Sequence, residues 1–193
     1  MANICSNNYQ FIFSNGEKAQ RFFSFIQSPD HKGSVYEIGV KANVKNIENR
    51  DVREWVEDAY IGSSVAPYKV KVSTSSKWVP CPNTWEDIAR TFDEDVIVYY
   101  EAEEPGCEIY ASNDPDYIGH FVIDFLDGTY LIKGVDLESG IYSRLETVSM
   151  LQNLLKTDND DISILLYMLK NSKYGEDMYV HEIEYSPMSD WRE

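Results

Sequence analysis

Residues 68–110 read YKVKVSTSSKWVPCPNTWEDIARTFDEDVIVYYEAEEPGCEIY. Tyr68, Val70 and Val72 alternate with Lys69 and Lys71, the period of a strand with one buried and one wet face. Residues 73–76 break that apolar alternation, and Pro80 and Pro82, each fixing φ and lacking an N–H, make SSKWVPCP a rigid non-helical corner. Thr84 followed by Asp87 is a weak capping box, so a helix is expected to begin there. Trp85, Ile88, Ala89 and Phe92 share one face of it. Val96, Val98, Tyr100 and Ala102 then lie on one side of a strand and Ile97, Tyr99, Glu101 and Glu103 on the other, with Pro105-Gly106 turning the chain back.

Upstream, Tyr9, Phe11 and Phe13 mark a first strand. The S-N-G-E run at 14–17 is a capping box that opens a helix striped with Ala19, Phe22, Phe23 and Ile26. Val35, Ile38 and Val40 suggest an extended segment, and Val52, Trp55, Val56 and Ala59 predict a helix over 49–60 that stops at Gly62. Downstream, residues 113–116 form a loop. Phe121, Ile123 and Phe125 are then expected to turn through Asp127-Gly128 and return as Tyr130 and Ile132 in a hairpin. Leu145, Val148, Leu151 and Leu155 mark one helix, and Ile162, Leu165, Leu166 and Leu169 another. The second is apolar almost all round, so it is either sandwiched or a surface for homo-oligomer formation through residues 162–169. A last strand is expected over 178–185.

Two segments carry a resemblance. Met1, Ala2, Asn3, Cys5 and Asn7 fit an M-(A/P)-N-x-C-x-N start, and Ser76, Lys77, Trp78 and Pro80 fit an (S/T)-K-W-x-P-P corner, with Cys81 in place of the second proline. Both are similar to motifs of a family of phage and plasmid proteins with a ferredoxin-like domain and no assigned activity. The resemblance implies a mobile-element origin. It also implies an α+β fold, a ferredoxin-like antiparallel sheet with helices packed on one face; the β-hairpin and the two C-terminal helices read from the residues are expected to extend it. The expected division is a core over 1–135 and a helical extension with a final strand over 136–193.

The 193 residues can bury a sizeable core, and 43% apolar content with 14 tyrosines argues against disorder. No apolar run is long enough to span a bilayer, and MANICSNN lacks the basic and apolar regions of a leader, so a cytoplasmic protein without membrane contact is expected. Cys5, Cys81 and Cys107 lack metal-ligand spacing and read as buried thiols. His31, His120 and His181 read as surface histidines; His120 and Asp124, four residues apart on a strand, stand about 13 Å from each other, too far for a catalytic pair. Phosphate-binding glycine loops are absent from the sequence. Glu101, Glu103 and Glu104, near Asp93 to Asp95, lack the alternating spacing of a calcium loop. No enzyme activity, cofactor or metal is therefore expected.

Charge is the strongest remaining signal. Residues 1–80 hold ten Lys/Arg and eight Asp/Glu, a net of +2, whereas residues 81–193 hold seven and twenty-five, a net of −18. Residues 86–127 contain thirteen acids and one base, Arg90. Tyr68, Lys69, Lys71 and Trp78 suggest an RNA-binding sheet, but the overall −16 would repel a phosphate backbone, so direct nucleic-acid binding is not expected. The expected site is instead an acidic surface of Glu101, Glu103, Glu104, Glu108, Asp114 and Asp116 with Tyr99. It would imitate a nucleic-acid backbone and occupy the groove of a basic nucleic-acid-binding protein, or of a protein–nucleic-acid complex such as a CRISPR-type defence complex, as a non-enzymatic inhibitor. A small-molecule-binding domain or enzyme with a pocket beside Trp78 is the alternative.

Overall fold

β1 (Ile4–Phe13) sets Cys5, Asn7, Tyr9, Phe11 and Phe13 on one face, all buried, with Ser6, Asn8 and Gln10 between them on the other. The computed structural model describes residues 4–62, 65–107, 109–125, 129–132 and 135–191. α1 (Gly16–Ile26) follows and buries Ala19, Phe22 and Ile26. Its cap is Asn15 rather than Ser14, since the Asn15 side chain accepts from the Lys18 N–H.

Two upstream expectations are corrected. Residues 35–41 are a helix, α2 (Val35–Lys41), not an extended segment. Ser34 caps it, and Val35, Ile38 and Gly39 are buried at i, i+3 and i+4, while Val40 faces out. The helix expected over 49–60 is instead β2 (Glu54–Ile61). A bulge between Val56 and Asp58 inserts one residue, so the inward positions run Glu54, Val56, Ala59, Ile61. That 2-3-2 spacing imitates a helical stripe.

β3 (Tyr68–Lys77) continues past Val72 through residues 73–76, with Thr74 and Ser76 buried on the inward side. α3 (Pro82–Arg90) begins two residues before Thr84, with Cys81 as cap and Pro82 in its first turn, where a missing N–H is harmless. The four apolar residues predicted for its face divide into buried Trp85, Ile88 and Ala89 and partly buried Phe92. β4 (Ile97–Glu104) pairs through a 3-10 turn, Pro105–Cys107, with β5 (Ile109–Ser112).

Farther on lie β6 (His120–Phe125), β7 (Thr129–Ile132), β8 (Val135–Glu138), β9 (Gly140–Ser143), α4 (Arg144–Leu155), α5 (Ile162–Lys170), β10 (Met178–Glu182) and β11 (Glu184–Tyr185). The fold is α+β, and the main sheet is a mixed one of six strands in the order β11-β5-β4-β1-β3-β2. β5-β4-β1-β3-β2 are joined by antiparallel ladders. One core cluster joins the inward face of this sheet to residues of α1, α2 and α3.

The chain forms two compact units, 1–115 with 185–193, and 116–184. The second unit holds the three-stranded sheet β10-β6-β9 and the pair β7-β8. The expected hairpin is thus corrected: β6 pairs with β9 and β10, and β7 pairs with β8. Its expected turn residues, Asp127 and Gly128, lie outside the described residues. β6 thus takes both its partners from beyond residue 139, within the unit 116–184. Ile162, Leu165 and Leu169 of α5 are buried with Leu151 and Leu154 of α4 and with Phe121, Ile123 and Phe125. That leaves Ile164 and Tyr167 facing out.

Asp93 ties the turn before β4 to the start of α1. Its carboxylate accepts from the Ser14 N–H at 2.7 Å and from Lys18 Nζ at 2.8 Å. Burial opposes ionisation, but the hydrogen bonds from Lys18, Ser14 and the Asp95 N–H outweigh it and hold the carboxyl well below the usual range. A depressed carboxylate stabilises the fold above its unfolded pKa near 3.8 and loses that contribution as pH falls through the folded value. Asp93→Asn is expected to cost about 1–3 kcal/mol at pH 7 and to flatten the acid limb of stability, read by urea unfolding between pH 2 and 7.

Candidate functional surface

The face of the main sheet turned away from the three helices is open. Registers place Tyr99 of β4 level with Gln10 of β1 and Lys71 of β3, Glu101 level with Asn8 and Ser73, and Glu103 level with Ser6 and Ser75. β2 adds Trp55 opposite Ser75 and Tyr60 opposite Lys71. Ile4, Trp55, Tyr60 and Ile97 are 40–50% exposed on this face. It has an acidic row on β4, a neutral polar row on β1, and a row of Lys69, Lys71 and Lys77 on β3. Lys71 lies 5.9 Å from the Tyr60 ring and Lys77 6.0 Å from the Trp55 ring. Glu57 and Asp58 sit farther out on β2, where Glu57 accepts the Ser75 hydroxyl at 2.5 Å.

β4 is held firmly in this array. Asn113 accepts from the Tyr100 N–H and donates to the Val98 carbonyl, while the Ser112 hydroxyl donates to the Tyr100 carbonyl. Side chains thereby continue the β5 ladder beyond its last strand residue. Glu101 and Glu103, two residues apart, stand about 6.6 Å from each other along the strand. Burial first, and then the Glu103 charge, pushes the Glu101 carboxyl above its usual range against the pull of Lys71.

The expected acidic site is only partly assembled. Tyr99, Glu101 and Glu103 share the open face. Glu104 is buried on the opposite side, where it accepts from the Cys107 N–H. Asp114 follows β5 in the first unit, Asp116 belongs to the second, and Glu108 lies outside the described residues. Nor do the thirteen acids of residues 86–127 form one patch. Asp93 is buried on Lys18, Asp87 pairs with Arg50, and Glu86 pairs with Arg90 at 2.8 Å. Each of these carboxylates meets a cation within its own unit. The negative balance itself is shared evenly. The first unit has twelve Lys/Arg against twenty Asp/Glu and the second has five against thirteen, so each nets −8.

One buried and heavily bonded carboxylate was not legible from the sequence. Glu54, 1% exposed at the start of β2, accepts from four donors. The Thr74 hydroxyl (2.5 Å) and the Trp85 indole N–H (2.9 Å) bind Oε1, while the Cys81 N–H (2.8 Å) and the Tyr9 hydroxyl (3.3 Å) bind Oε2. Cys81 is the cap of α3, so the carboxylate also faces a helix N-terminus. Beside it Asn7 donates to Thr74 and Ser76 at 3.1 Å each, and the Cys5 thiol donates to Asn7. Burial pushes the Cys5 thiol up to about 12, which keeps it protonated. The burial alternates without a break over 5, 7, 9, 11, 13 and over 70, 72, 74, 76, but small polar residues hold three of these core positions, so the apolar period did not mark them.

Other candidates are corrected or placed. Trp78 is 48% exposed and holds a left-handed φ of 76°. A shallow concavity of about 560 Å3 lies against α1, lined by Glu17, Gln20, Arg21, Ser24, Phe25 and Phe92. His31 is buried, not a surface residue, with its Nε2 at 2.8 Å from the Phe25 carbonyl. Cys5 and Cys81 are buried as expected, but Cys107 is exposed. Among the described residues no group of three or more His, Cys, Asp or Glu could hold a metal ion, and no helix is long and apolar enough to cross a membrane. No protein-family model matches this chain, and no curated protein matches it.

Proposed function

We propose that this is a non-enzymatic interaction protein of mobile-element origin whose working surface is the open face of the main sheet. Its partner is a basic, nucleic-acid-handling protein of the host cytoplasm, such as a defence complex of CRISPR type, which it inhibits by occupying the nucleic-acid groove. The carrying observation is the Glu101–Glu103 pair. The pleat sets these two carboxylates side by side on a braced strand, and burial and the Glu103 charge push the Glu101 carboxyl up, so a basic surface laid against the row favours its ionised form. The origin rests on the motif residues of the N-terminus and the Trp78 corner. The scaffold we propose is ferredoxin-like: β1-α1-β2-β3-α3-β4, with strand order β4-β1-β3-β2, fits a split βαβ arrangement, with α2 inserted in the first crossover.

The test is binding to a purified basic complex and displacement of its nucleic acid. Glu101→Lys with Glu103→Lys is expected to weaken binding about tenfold or more, and wild-type binding should fall steeply between low and moderate salt. Affinity indifferent to both would refute the reading. A second reading, a small-molecule site beside Trp78, is favoured by the exposed indole on a left-handed backbone that a bulky residue rarely adopts. Nucleotides that raise the melting temperature of wild type but not of Trp78→Ala would support it. The absence of any shift would oppose it.

A further inference from the structure

We infer that the open sheet face pairs with the same face of a second copy of this chain, and that this pairing masks the acidic row until a basic partner displaces it. Three rows of side chains on this face make the pairing self-complementary. The acidic row on β4 and the lysine row on β3 flank the neutral row of Ser6, Asn8 and Gln10 on β1, each one strand away. A twofold axis along β1 lays two such faces together with strands aligned, the usual packing of two sheets about 10 Å apart. It also brings β4 of each copy over β3 of the other. The registers then put Glu101 over Ser73, one position from Lys71, and Glu103 over Ser75, one position from Lys77. Each acid is therefore a diagonal neighbour of a lysine in the other copy, in four symmetric pairs. A twofold axis across the strands would set acid on acid.

Size and composition agree with this. β1 and β3 are ten residues long and β2 and β4 eight, and four such strands cover roughly 600 Å2 per copy, or about 1,200 Å2 in total, the lower end of stable interfaces. Ile4 and Ile97, half-exposed beside the charged rows, supply apolar contact. Nucleic acid is a poorer occupant, because Glu57, Asp58, Glu101 and Glu103 outnumber the three lysines on the face.

The inference shares its surface with the proposed function but does not depend on that partner. Sedimentation of the full chain at low salt should show a dimer that dissociates as salt rises. Glu101→Lys with Glu103→Lys, and separately Lys71→Glu with Lys77→Glu, should each weaken self-association at least tenfold. An equimolar mixture of the two variants should restore dimers, which also shows that both fold. A strict monomer at low salt, or a dimer unaffected by either pair of changes, would overturn the inference. The Lys71→Glu/Lys77→Glu variant keeps its acidic row and should bind the basic partner more tightly than wild type. Loss of dimer together with no partner binding by any variant would refute the function and leave the pairing standing.

Discussion

Glu54→Gln is expected to destabilise the first unit by about 2–3 kcal/mol at pH 5, read as a lower urea midpoint with an unchanged slope. Two of the four donors on this carboxylate, the hydroxyls of Tyr9 and Thr74, can rotate. The other two cannot. The Trp85 indole N–H meets Oε1 and the Cys81 backbone N–H meets Oε2, so either orientation of a glutamine amide sets its NH2 against a fixed N–H. Glu54→Ala leaves all four donors without the acceptor and opens a cavity, with an expected cost of about 3–5 kcal/mol. The pH dependence follows from burial, which pushes the Glu54 carboxyl up while its four donors pull it down. A carboxyl with a raised folded pKa contributes fully below its unfolded value of 4.5 and loses that contribution as pH rises through the folded one. The cost of Glu54→Gln is therefore greatest at acid pH and shrinks toward neutrality. A glutamine variant as stable as wild type at pH 5 would mean that the network is not formed.

The second large effect is at Trp85, fully buried and within 5.6 Å, centroid to centroid, of both Tyr9 and Phe11. Trp85→Phe keeps most of the aromatic packing but removes the N–H that reaches Glu54, with an expected cost of about 2 kcal/mol. Because the two residues act through one bond, the double variant with Glu54→Gln should cost at least about 1 kcal/mol less than the sum of the single changes. Strict additivity would show that Trp85 contributes by packing alone. This pair joins the first turn of α3 to the beginning of β2, two segments that the sequence separates by about thirty residues.

How much of this was legible varied from element to element. β4 was read nearly in full, beginning one residue late at Ile97 and reaching Glu104, because Val98, Tyr100 and Ala102 alternate with side chains on the other face, and a strand with one buried face needs nothing more. The stripe of α1 was equally plain. β2 was not, since its single-residue bulge shifts the inward positions into a helical rhythm, and its most important member is a glutamate. The acidic site was legible only as far as Tyr99, Glu101 and Glu103, which one strand's pleat carries to a common face. Glu104 departs from them by that same pleat.

Local period alone therefore determined the strands β1 and β4, the first half of β3 and the apolar faces of α1, α3 and α5, and composition gave the −16 balance that makes a charged partner the central question. Tertiary structure decided where the charges went: which acids meet Lys18, Arg50 or Arg90, and which stay on the open face. It also decided that Glu54 would lie at the centre of four donors rather than in water. The physical reason is that alternation reports burial from one side chain to the next, whereas a salt bridge or a buried network depends on segments distant in sequence whose meeting no local pattern encodes.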